Sequence, residues 1–329
     1  MLRAKIVGTG RYVPDQLITN ADMEKMLGEP LKPSIEEKLG IKQRYVTDEH
    51  ESSVDLGEHA ALKAIDEAGI KPEDIDLIIV ATDTPEYISP ATSSVLQGRI
   101  HAYNAGTFDL NASCSGFVAG MDVASRMIMT GGYTYILVVG VYNMTKFVDK
   151  SNPNVFPIFA DGGGAIVLQA VEGEKEEGFL ASKLIADGTQ YDLLGIYAGG
   201  TKNPITIERL ENKEHLLTFL KKLPPDRNIK LWPPLIKDVL NKVKMAYKDI
   251  DHIFLTQINK WVIEEVMKAI NLPMEKTTCI MDRYGYTGSA CIPMALDVAL
   301  EEGRVKQGDL VVFIASGVGF NVSAAVFRL

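Results

Sequence analysis

A repeat at a fixed offset of 175 residues constrains this chain more than any other feature of its sequence. The stretch DIDLIIVAT (74–82) aligns without a gap with DIDHIFLTQ (249–257). In the same register, DVASRMIMTGGYTYILVVG (122–140) aligns with DVALEEGRVKQGDLVVFIA (297–315). A constant offset over such a length indicates an internal duplication, because chance similarity between amphipathic segments would not keep one register. We therefore predict two copies of one strand–helix unit, packed about a pseudo-twofold axis.

Each copy alternates helical and extended patterns. Residues 54–69 place apolar side chains at the 3–4 spacing of an amphipathic helix and end at Gly69, a common helix C-cap. The stretches DLIIVAT (76–82) and YILVVGV (135–141) are continuous apolar runs, as expected for strands that are buried on both faces. This alternation predicts an α/β fold with parallel sheet content.

The repeat suggests two domains, an N-terminal half at 1–174 and a C-terminal half at 175–329. The second half begins with a long, polar and irregular stretch at about 175–235, which contains Pro-Pro pairs at 224–225 and 233–234. Long loops in compact domains are often functional. This stretch is therefore either a surface excursion or a cap over a substrate channel, and the sequence leaves both open.

Composition excludes several classes of function. The chain has 34 basic and 43 acidic residues, a formal charge of −9, which argues against a broad nucleic-acid or anionic-membrane surface. Its longest apolar runs are too short to span a membrane, and its first residues resemble a strand and a turn rather than a signal peptide. Three cysteines without metal-type spacing favour a reducing compartment. We expect a cytoplasmic protein with no metal site and no nucleic-acid or membrane partner.

Cys114 is the candidate nucleophile. It lies in DLNASCSGFVAGM (109–121), between a short apolar stretch and a helix-like pattern. A thiolate at a helix N-terminus is stabilised by unpaired N–H groups and the macrodipole, which lowers its pKa. Its small neighbours would admit a substrate carbonyl, whose oxyanion could accept from the Cys114 N–H. Free cysteine is also among the most buried residue types and is usually inert, so this stretch alone leaves both interpretations open.

Several stretches together resemble the β-ketoacyl-acyl-carrier-protein synthase III family of thiolase-like enzymes. The resemblance covers nearly the whole chain, with the motifs in order and at the expected separations. They are AKIVGTGRYVPDQLITNADMEK, DLIIVATDTPEYISPATSSVLQ, FDLNASCSGFVAGM, FADGGGAIVL, YGYTGSACIPMAL and SGVGFNVSAAVFRL.

This resemblance implies a thiolase-like duplicated five-layer α/β/α/β/α fold and a homodimer. It also implies an acyltransferase of fatty acid or polyketide biosynthesis, which takes an acyl group onto a cysteine and condenses it with a malonyl thioester, releasing CO2. By position, Cys114 is the acylated nucleophile and Gly319 is the second oxyanion N–H donor. Ile88 is the loop residue that reaches across the dimer to close the partner's acyl pocket. No permanently bound cofactor is implied, since the acyl-CoA or acyl carrier protein thioester is a substrate.

Two catalytic positions depart from the family pattern. The family's histidine, in a stretch like HQAN, corresponds to Thr256 in TQIN, while Gln257 and Asn259 are kept as candidate substrate-binding residues. The family's asparagine corresponds to Tyr286 in YGYTGSAC. Threonine cannot carry a positive charge and is a poor base, whereas tyrosine donates a hydrogen bond well. His252 cannot substitute, because four residues of strand separate it from Thr256 by about 13 Å.

Three functions therefore remain open. The first is a synthase III-like acyltransferase that loads Cys114 and then performs a Claisen-type condensation with a Cys–Thr–Tyr site. The second transfers the acyl group from Cys114 to an alcohol, amine or thiol without decarboxylation. The third is a non-catalytic partner subunit of a ketosynthase- or thiolase-like complex. Ser34 and Trp261 stand where the family stacks adenine and docks the carrier, so the choice between acyl-CoA and acyl carrier protein is also open.

Overall fold

The computed structural model describes residues 1–329 and contains 13 strands and 10 α-helices. The strands are β1 (Leu2–Tyr12), β2 (Gln16–Thr19), β3 (Gln43–Val46), β4 (Leu77–Ala81), β5 (Gly106–Leu110), β6 (Tyr135–Asn143), β7 (Asp161–Glu172), β8 (Gly178–Ala186), β9 (Leu194–Gly195), β10 (Thr218–Phe219), β11 (His252–Leu255), β12 (Leu310–Gly317) and β13 (Asn321–Arg328). The helices are α1 (Asn20–Leu27), α2 (Ser34–Glu37), α3 (Ser53–Glu67), α4 (Thr92–Arg99), α5 (Gly116–Met129), α6 (Ile207–Glu211), α7 (Arg227–Lys242), α8 (Lys260–Ala269), α9 (Met281–Tyr284) and α10 (Cys291–Glu301). None of the helices is both long and apolar enough to cross a lipid bilayer.

Two mixed sheets carry the fold. The first has the strand order β1-β7-β6-β4-β5 and the second the order β11-β12-β13-β8. In the first sheet β4 pairs in parallel with β5 and β6, while β7 runs antiparallel to β6 and β1. In the second sheet β11 and β12 are parallel, and β13 runs antiparallel to β12 and β8. The predicted parallel content is confirmed, and antiparallel strands complete each sheet.

The sheets and helices stack in five layers. Helices α5 and α10 lie between the two sheets, and their side chains form the central core together with the inner faces of both sheets. Such helices are apolar on almost every face, as expected where a helix is covered all round. Helices α3 and α4 cover the outer face of the first sheet, and α7 and α8 cover the outer face of the second. The predicted five-layer α/β fold is confirmed.

The 175-residue offset recurs in the secondary structure. Strands β4 and β11 begin 175 residues apart, and so do helices α5 and α10 and strands β6 and β12. Ser113 and Gly288, which precede α5 and α10, have the same separation, and both have a φ of 48°. The duplication therefore extends to individual backbone angles.

The aspartates that revealed the repeat have a structural reason. Asp76, before β4, accepts hydrogen bonds from the N–H groups of Thr134 and Tyr135 at the start of β6 (2.6 and 2.9 Å). Asp251, before β11, accepts the N–H of Leu310 at the start of β12 (2.8 Å). In each half one carboxylate thus joins two neighbouring parallel strands, which explains why the aspartate occurs in both copies.

The irregular segment is shorter than the predicted insertion at 175–235, because regular secondary structure occupies both ends of that range. Its first part forms β8, which pairs with β13, and its last part forms α7. Helix α7 continues through Pro233 and Pro234, although proline usually interrupts a helix. Its apolar face, including Trp232 and Leu235, is buried against the second sheet, and this burial outweighs the missing hydrogen bonds. The irregular segment is 187–226, and six of its residues line the cavity described below: Leu194, Leu217, Phe219, Leu223, Pro224 and Pro225.

Close packing of β7 against α3 gives a test of this arrangement. A Cβ added at Gly163 would lie 2.2 Å from the carbonyl oxygen of Leu56. We expect Gly163→Ala to lower the free energy of unfolding by about 1–3 kcal/mol through overpacking, measured by urea denaturation. The matched control is Gly98→Ala in α4, where a Cβ meets nothing within 4 Å. That change should stabilise the protein by about 0.5–1 kcal/mol, and equal effects of the two substitutions would contradict the packing.

Candidate active site

The turn that carries Cys114 joins the end of β5 to the start of α5. One turn of 3-10 helix precedes α5, and Ser113 adopts the left-handed φ there. Such a conformation costs a non-glycine residue about 1 kcal/mol or more and persists only where its surroundings fix it. Asn111 Oδ1 accepts the Ser113 N–H (3.0 Å), and Ser115 Oγ donates to the Ala112 carbonyl (2.7 Å). These bonds hold Cys114 immediately before the first turn of α5, as predicted.

The loop between β12 and β13 approaches this turn closely. A Cβ at Gly317 would lie 2.2 Å from the Ala112 carbonyl oxygen and 3.1 Å from the Cys114 nitrogen, so that only glycine fits. Val318 lines the cavity in front of Cys114, whereas Gly319 does not. Gly317 and Val318 are the residues of this loop that line the cavity, and Gly319 lies one residue further along. The role of Gly319 as the second oxyanion donor stays a prediction.

A cavity of about 250 Å³ lies in front of Cys114. Fifteen of its 24 lining residues are hydrophobic, which suits an acyl chain. Both halves of the duplication contribute to it. Among the predicted site residues, the cavity brings together Cys114, Thr256, Asn259 and Tyr286.

Burial keeps the Cys114 thiol protonated. Desolvation raises the pKa of the thiol well above its ordinary value, and the charge of Asp83 raises it further. A hydrogen bond from the Tyr286 hydroxyl and one from the Cys114 N–H act in the opposite direction. The expectation that the helix N-terminus lowers this pKa is therefore wrong in its net sign, because loss of solvent penalises the thiolate more. The resting thiol is neutral, and its proton has to leave during any acylation.

Tyr286 is a rigid hydrogen-bond donor beside the sulfur. Its backbone N–H donates to the Ile158 carbonyl (3.1 Å), and its carbonyl accepts from the Ala160 N–H (2.9 Å). Its ring packs against Tyr142 and Phe159, with centroids 6.0 and 5.9 Å away. Burial and the neighbouring thiol raise the pKa of Tyr286 well above 10. The hydroxyl therefore remains protonated and can donate but not act as a base.

Thr256 presents a second hydroxyl to the cavity. It directly follows β11 and is buried. Its Oγ1 accepts the N–H of Ser316 (3.0 Å), which fixes the side chain. The hydroxyl hydrogen remains available for one acceptor in the cavity. Unlike an imidazole, this group cannot take up a proton at neutral pH.

Gln257 and Asn259 have different environments. The Gln257 amide donates to the carbonyls of Leu255 and Thr278 (2.7 and 3.1 Å) and accepts the N–H of Ile280 (2.8 Å). It is fully buried and does not line the cavity, so its prediction as a substrate-binding residue is wrong; it braces the backbone after β11. Asn259 caps helix α8 through Oδ1 and also lines the cavity, where its amide N–H groups can contact a ligand.

Ile88 and His252 lie outside this cavity. The Ile88 side chain is 88% exposed on the loop between β4 and α4 and does not line the cavity of its own chain. His252 Nε2 is 2.8 Å from Thr278 Oγ1. Burial lowers the pKa of His252 to about 4. This histidine is a neutral core residue, as the sequence indicated.

Six cavity residues with polar groups were not identified from the sequence: Asp83, Tyr142, Arg227, Asn228, Trp232 and Ser316. Asp83 follows β4, and a polar side chain at the carboxyl end of a buried parallel strand is a recognisable indication of a binding site. Arg227 was hidden at the irregular start of α7, and its guanidinium stacks on the Phe320 ring at 3.7 Å. The Trp232 indole N–H donates to Ser316 Oγ (2.6 Å).

A larger surface groove of about 910 Å³ lies elsewhere, around Arg11, Asp297 and Glu301. Arg11 forms ion pairs with both of these carboxylates. The groove contains no cysteine, and its lysine, Lys63, donates to the backbone carbonyl of Arg11 (3.0 Å). The cavity in front of Cys114 is therefore the better candidate for chemistry despite its smaller volume.

Comparisons with known proteins agree on one family. Residues 108–188 match the family model of 3-oxoacyl-[acyl-carrier-protein (ACP)] synthase III, and residues 240–329 match the model of its C-terminal part. The chain is 37% identical to the β-ketoacyl-[acyl-carrier-protein] synthase III of Natranaerobius thermophilus and 36% identical to that of Thioalkalivibrio sulfidiphilus, over the full length of each pair. The crystal structure of 3-oxoacyl-[acyl-carrier-protein] synthase III from Aquifex aeolicus superposes with a TM-score of 0.87 at 30% identity, covering 99% of this chain and 100% of that one.

The hydrogen bond from Tyr286 to the sulfur can be tested by alkylation. Tyr286→Phe removes a bond to the thiolate, which is worth about 1.5–3 kcal/mol for a charged acceptor, and so raises the pKa of Cys114. We expect alkylation of Cys114 by iodoacetamide at pH 8, followed by intact mass, to slow by about 10–100-fold. Tyr142→Phe removes a hydroxyl from the same cavity without removing a bond to the sulfur and should leave the rate unchanged. An unaltered rate in Tyr286→Phe would contradict the assignment.

Proposed function

Because this chain belongs to the 3-oxoacyl-[acyl-carrier-protein] synthase III family of acyltransferases, we propose that Cys114 accepts an acyl group from an acyl-CoA or acyl carrier protein thioester and then condenses it with a malonyl thioester. The observation that carries the proposal is the position of Cys114. It lies at the start of α5, on the wall of a mainly apolar cavity, next to a buried hydroxyl donor.

In the first step the Cys114 sulfur attacks the thioester carbonyl. The new S–C bond forms as the C–S bond of the donor breaks, and the thiol proton passes to the departing thiolate. The proposed backbone donors for the developing oxyanion are the N–H groups of Cys114 and Val318, since both residues line the cavity. A single such donor is worth about 10²–10³ in rate where water is excluded. No bound cofactor takes part in this chemistry.

In the second step a malonyl thioester loses CO2, and its enolate carbon attacks the acyl group on Cys114. The new C–C bond forms as the acyl C–S bond breaks, and the released Cys114 thiolate takes up one proton to restore the resting thiol. The hydroxyls of Thr256 and Tyr286 are the donors available for the enolate oxygen, since both face the cavity. Neither can become positively charged. We therefore expect a slower decarboxylation than an imidazole-containing site would support.

A second function is favoured by the state of these hydroxyls. Thr256 keeps its hydroxyl hydrogen for a ligand, but neither it nor Tyr286 can carry the positive charge that an imidazole would bring to an enolate. Acyl transfer to an alcohol, amine or thiol needs no enolate and makes no demand on a second pair of donors. The third possibility is a non-catalytic partner subunit. It assigns no reaction to the cavity and predicts that Cys114 is not acylated.

We also propose a homodimer and a cytoplasmic location. Strand β5 is an edge of the first sheet and is only partly buried, so it can pair with a second copy. The loop that carries Ile88 is held against this edge, because Asp109 of β5 accepts the N–H groups of Thr92 and Ser93 (2.7 and 2.8 Å). These contacts support the proposal that Ile88 enters the acyl pocket of a partner subunit. The three cysteines are free thiols, as in reducing compartments.

Acylation is tested by intact mass after incubation with a panel of acyl-CoA and acyl carrier protein thioesters. Wild type should gain the mass of one acyl group, and Cys114→Ala should gain none. Adding malonyl thioester then distinguishes the functions, because condensation releases CO2 whereas simple acyl transfer does not. An absence of any adduct on wild type, together with stable association with another ketosynthase-like protein, would favour the partner subunit.

The dimer is tested by light scattering. Wild type should have twice the mass of one chain. Ile88→Glu places a charge in the proposed apolar interface and should shift the dimer towards monomer. Ile207→Glu is the matched control, since Ile207 is also an exposed isoleucine (77%) but lies on the irregular segment. Equal masses for the two variants would argue against this use of Ile88.

A further inference from the structure

Asp83 is the only carboxylate that lines the Cys114 cavity. It lies two residues beyond the end of β4, on the side of the cavity opposite the donors contributed by the second half. Its Oδ1 atom has no exposed surface and no hydrogen-bond partner. A buried carboxylate oxygen without a partner is expensive to maintain, which calls for an explanation.

The backbone around Asp83 is fixed. The N–H of Thr84 donates to Thr82 Oγ1 (3.0 Å), and the N–H of Asn143 donates to Thr84 Oγ1 (2.9 Å). The N–H of Thr82 donates to the Leu110 carbonyl at the end of β5 (3.1 Å). Strand ends β4, β5 and β6 are therefore tied together at this point, and the carboxyl is held in place rather than free to seek a partner.

Asp161 shows how this fold treats a structural carboxylate. It is fully buried, and both of its oxygens accept hydrogen bonds, from the backbone and hydroxyl groups of Thr47 and Thr145. Asp83 has only the Ser113 hydroxyl and its own N–H to favour the charged form, and burial raises its pKa to about 6. The contrast indicates that Asp83 is not there to stabilise the fold.

The other ionisable groups of the cavity cannot accept a proton. Tyr142 and Tyr286 have pKa values raised well above 10, mainly by burial, and so remain protonated. Arg227 is a permanent cation. Cys114 is the remaining group, and the charge of Asp83 is close enough to raise the pKa of its thiol. The carboxylate is thus the only base that lines the cavity together with the nucleophile.

We propose that Asp83 is the general base and acid of this site, accepting the proton of the Cys114 thiol as the sulfur attacks and returning it to the departing thiolate. This rests on the proposed acylation of Cys114. The S–H bond breaks as the S–C bond forms, and the carboxylate becomes a neutral acid. The C–S bond of the donor then breaks, its sulfur takes the proton from the acid, and Asp83 is again a carboxylate. No other reactant is needed.

The test compares Asp83→Asn with wild type in two reactions of the same sulfur. General acid–base catalysis typically contributes about 10²–10⁴-fold, so acylation of Cys114 by an acyl thioester should slow by at least about 100-fold. Wild-type acylation should rise with pH around a midpoint near 6, where Asp83 loses its proton, and the variant should lack this rise. Iodoacetamide alkylation should be unchanged or faster in the variant, because removing the negative charge lowers the pKa of the thiol.

These opposite directions separate proton transfer from disturbance of the fold, which would slow both reactions. The thermal midpoint of Asp83→Asn should be no lower than that of wild type, because Oδ1 of the native carboxyl has no hydrogen-bond partner to lose. Asp76→Asn, the same change at the other end of β4, is the matched control and should leave acylation unchanged. Undiminished acylation of Asp83→Asn would overturn the role of Asp83 alone. An absence of acylation on wild type would overturn the proposed function with it.

Discussion

The site depends on a pair of equivalent contacts between the two halves. In one, the end of strand β6 packs on the turn before helix α10; in the other, the end of strand β12 packs on the turn before helix α5. Tyr142 at the end of β6 lies against Gly288, where a Cβ would be 2.2 Å from the tyrosine ring. At the equivalent contact Gly317 at the end of β12 lies against Ser113, with 3.1 Å between its added Cβ and that of the serine. The two equivalent strand ends therefore differ in size, with a tyrosine in the first half and a glycine in the second. Tyr142 fills the space above the turn before α10, whereas Gly317 leaves the space above Cys114 open. Because the two equivalent positions differ, a cavity forms beside the turn before α5 and not beside the turn before α10.

The cavity that results is mainly apolar, and burial in it determines the electrostatics of its ionisable groups. Burial raises the pKa of Cys114, Tyr142 and Tyr286 and also that of Asp83, so each group is pushed towards its neutral form. A thiol held neutral is protected from adventitious reaction, but it cannot attack until its proton is removed. The preorganised N–H and hydroxyl donors gain strength from the same low dielectric. Reactivity therefore depends on where the proton goes more than on a standing thiolate.

Much of the fold could be predicted because its determinants are local or repeated. Continuous apolar runs identified β4 and β6, and the paired aspartates identified the duplication since each binds the start of a neighbouring strand. The features that could not be predicted depend on tertiary contacts. Burial of the Trp232 face allowed α7 to continue through two prolines, and the backbone geometry of one hairpin loop places Gly317 and Val318 at the cavity. Gln257 follows Thr256 directly in sequence, but its side chain points away from the cavity and bonds to backbone groups.

The duplication also suggests why a carboxylate should appear at Asp83. Strands β4 and β11 are equivalent, and the chain that follows each of them enters the cavity, as Asp83 in one half and as Thr256, Ile258 and Asn259 in the other. The residue 175 positions after Asp83 is Ile258, so the two strand ends offer the cavity an acid on one side and an apolar side chain on the other. At the end of β11 this chain has a threonine where its resemblance to the family predicts a histidine, which removes the base from that side. Asp83, after β4, lines the same cavity as Thr256, after the equivalent strand β11. Because the pseudo-twofold axis relates these two strand ends, a proton acceptor absent from one can be supplied by the other.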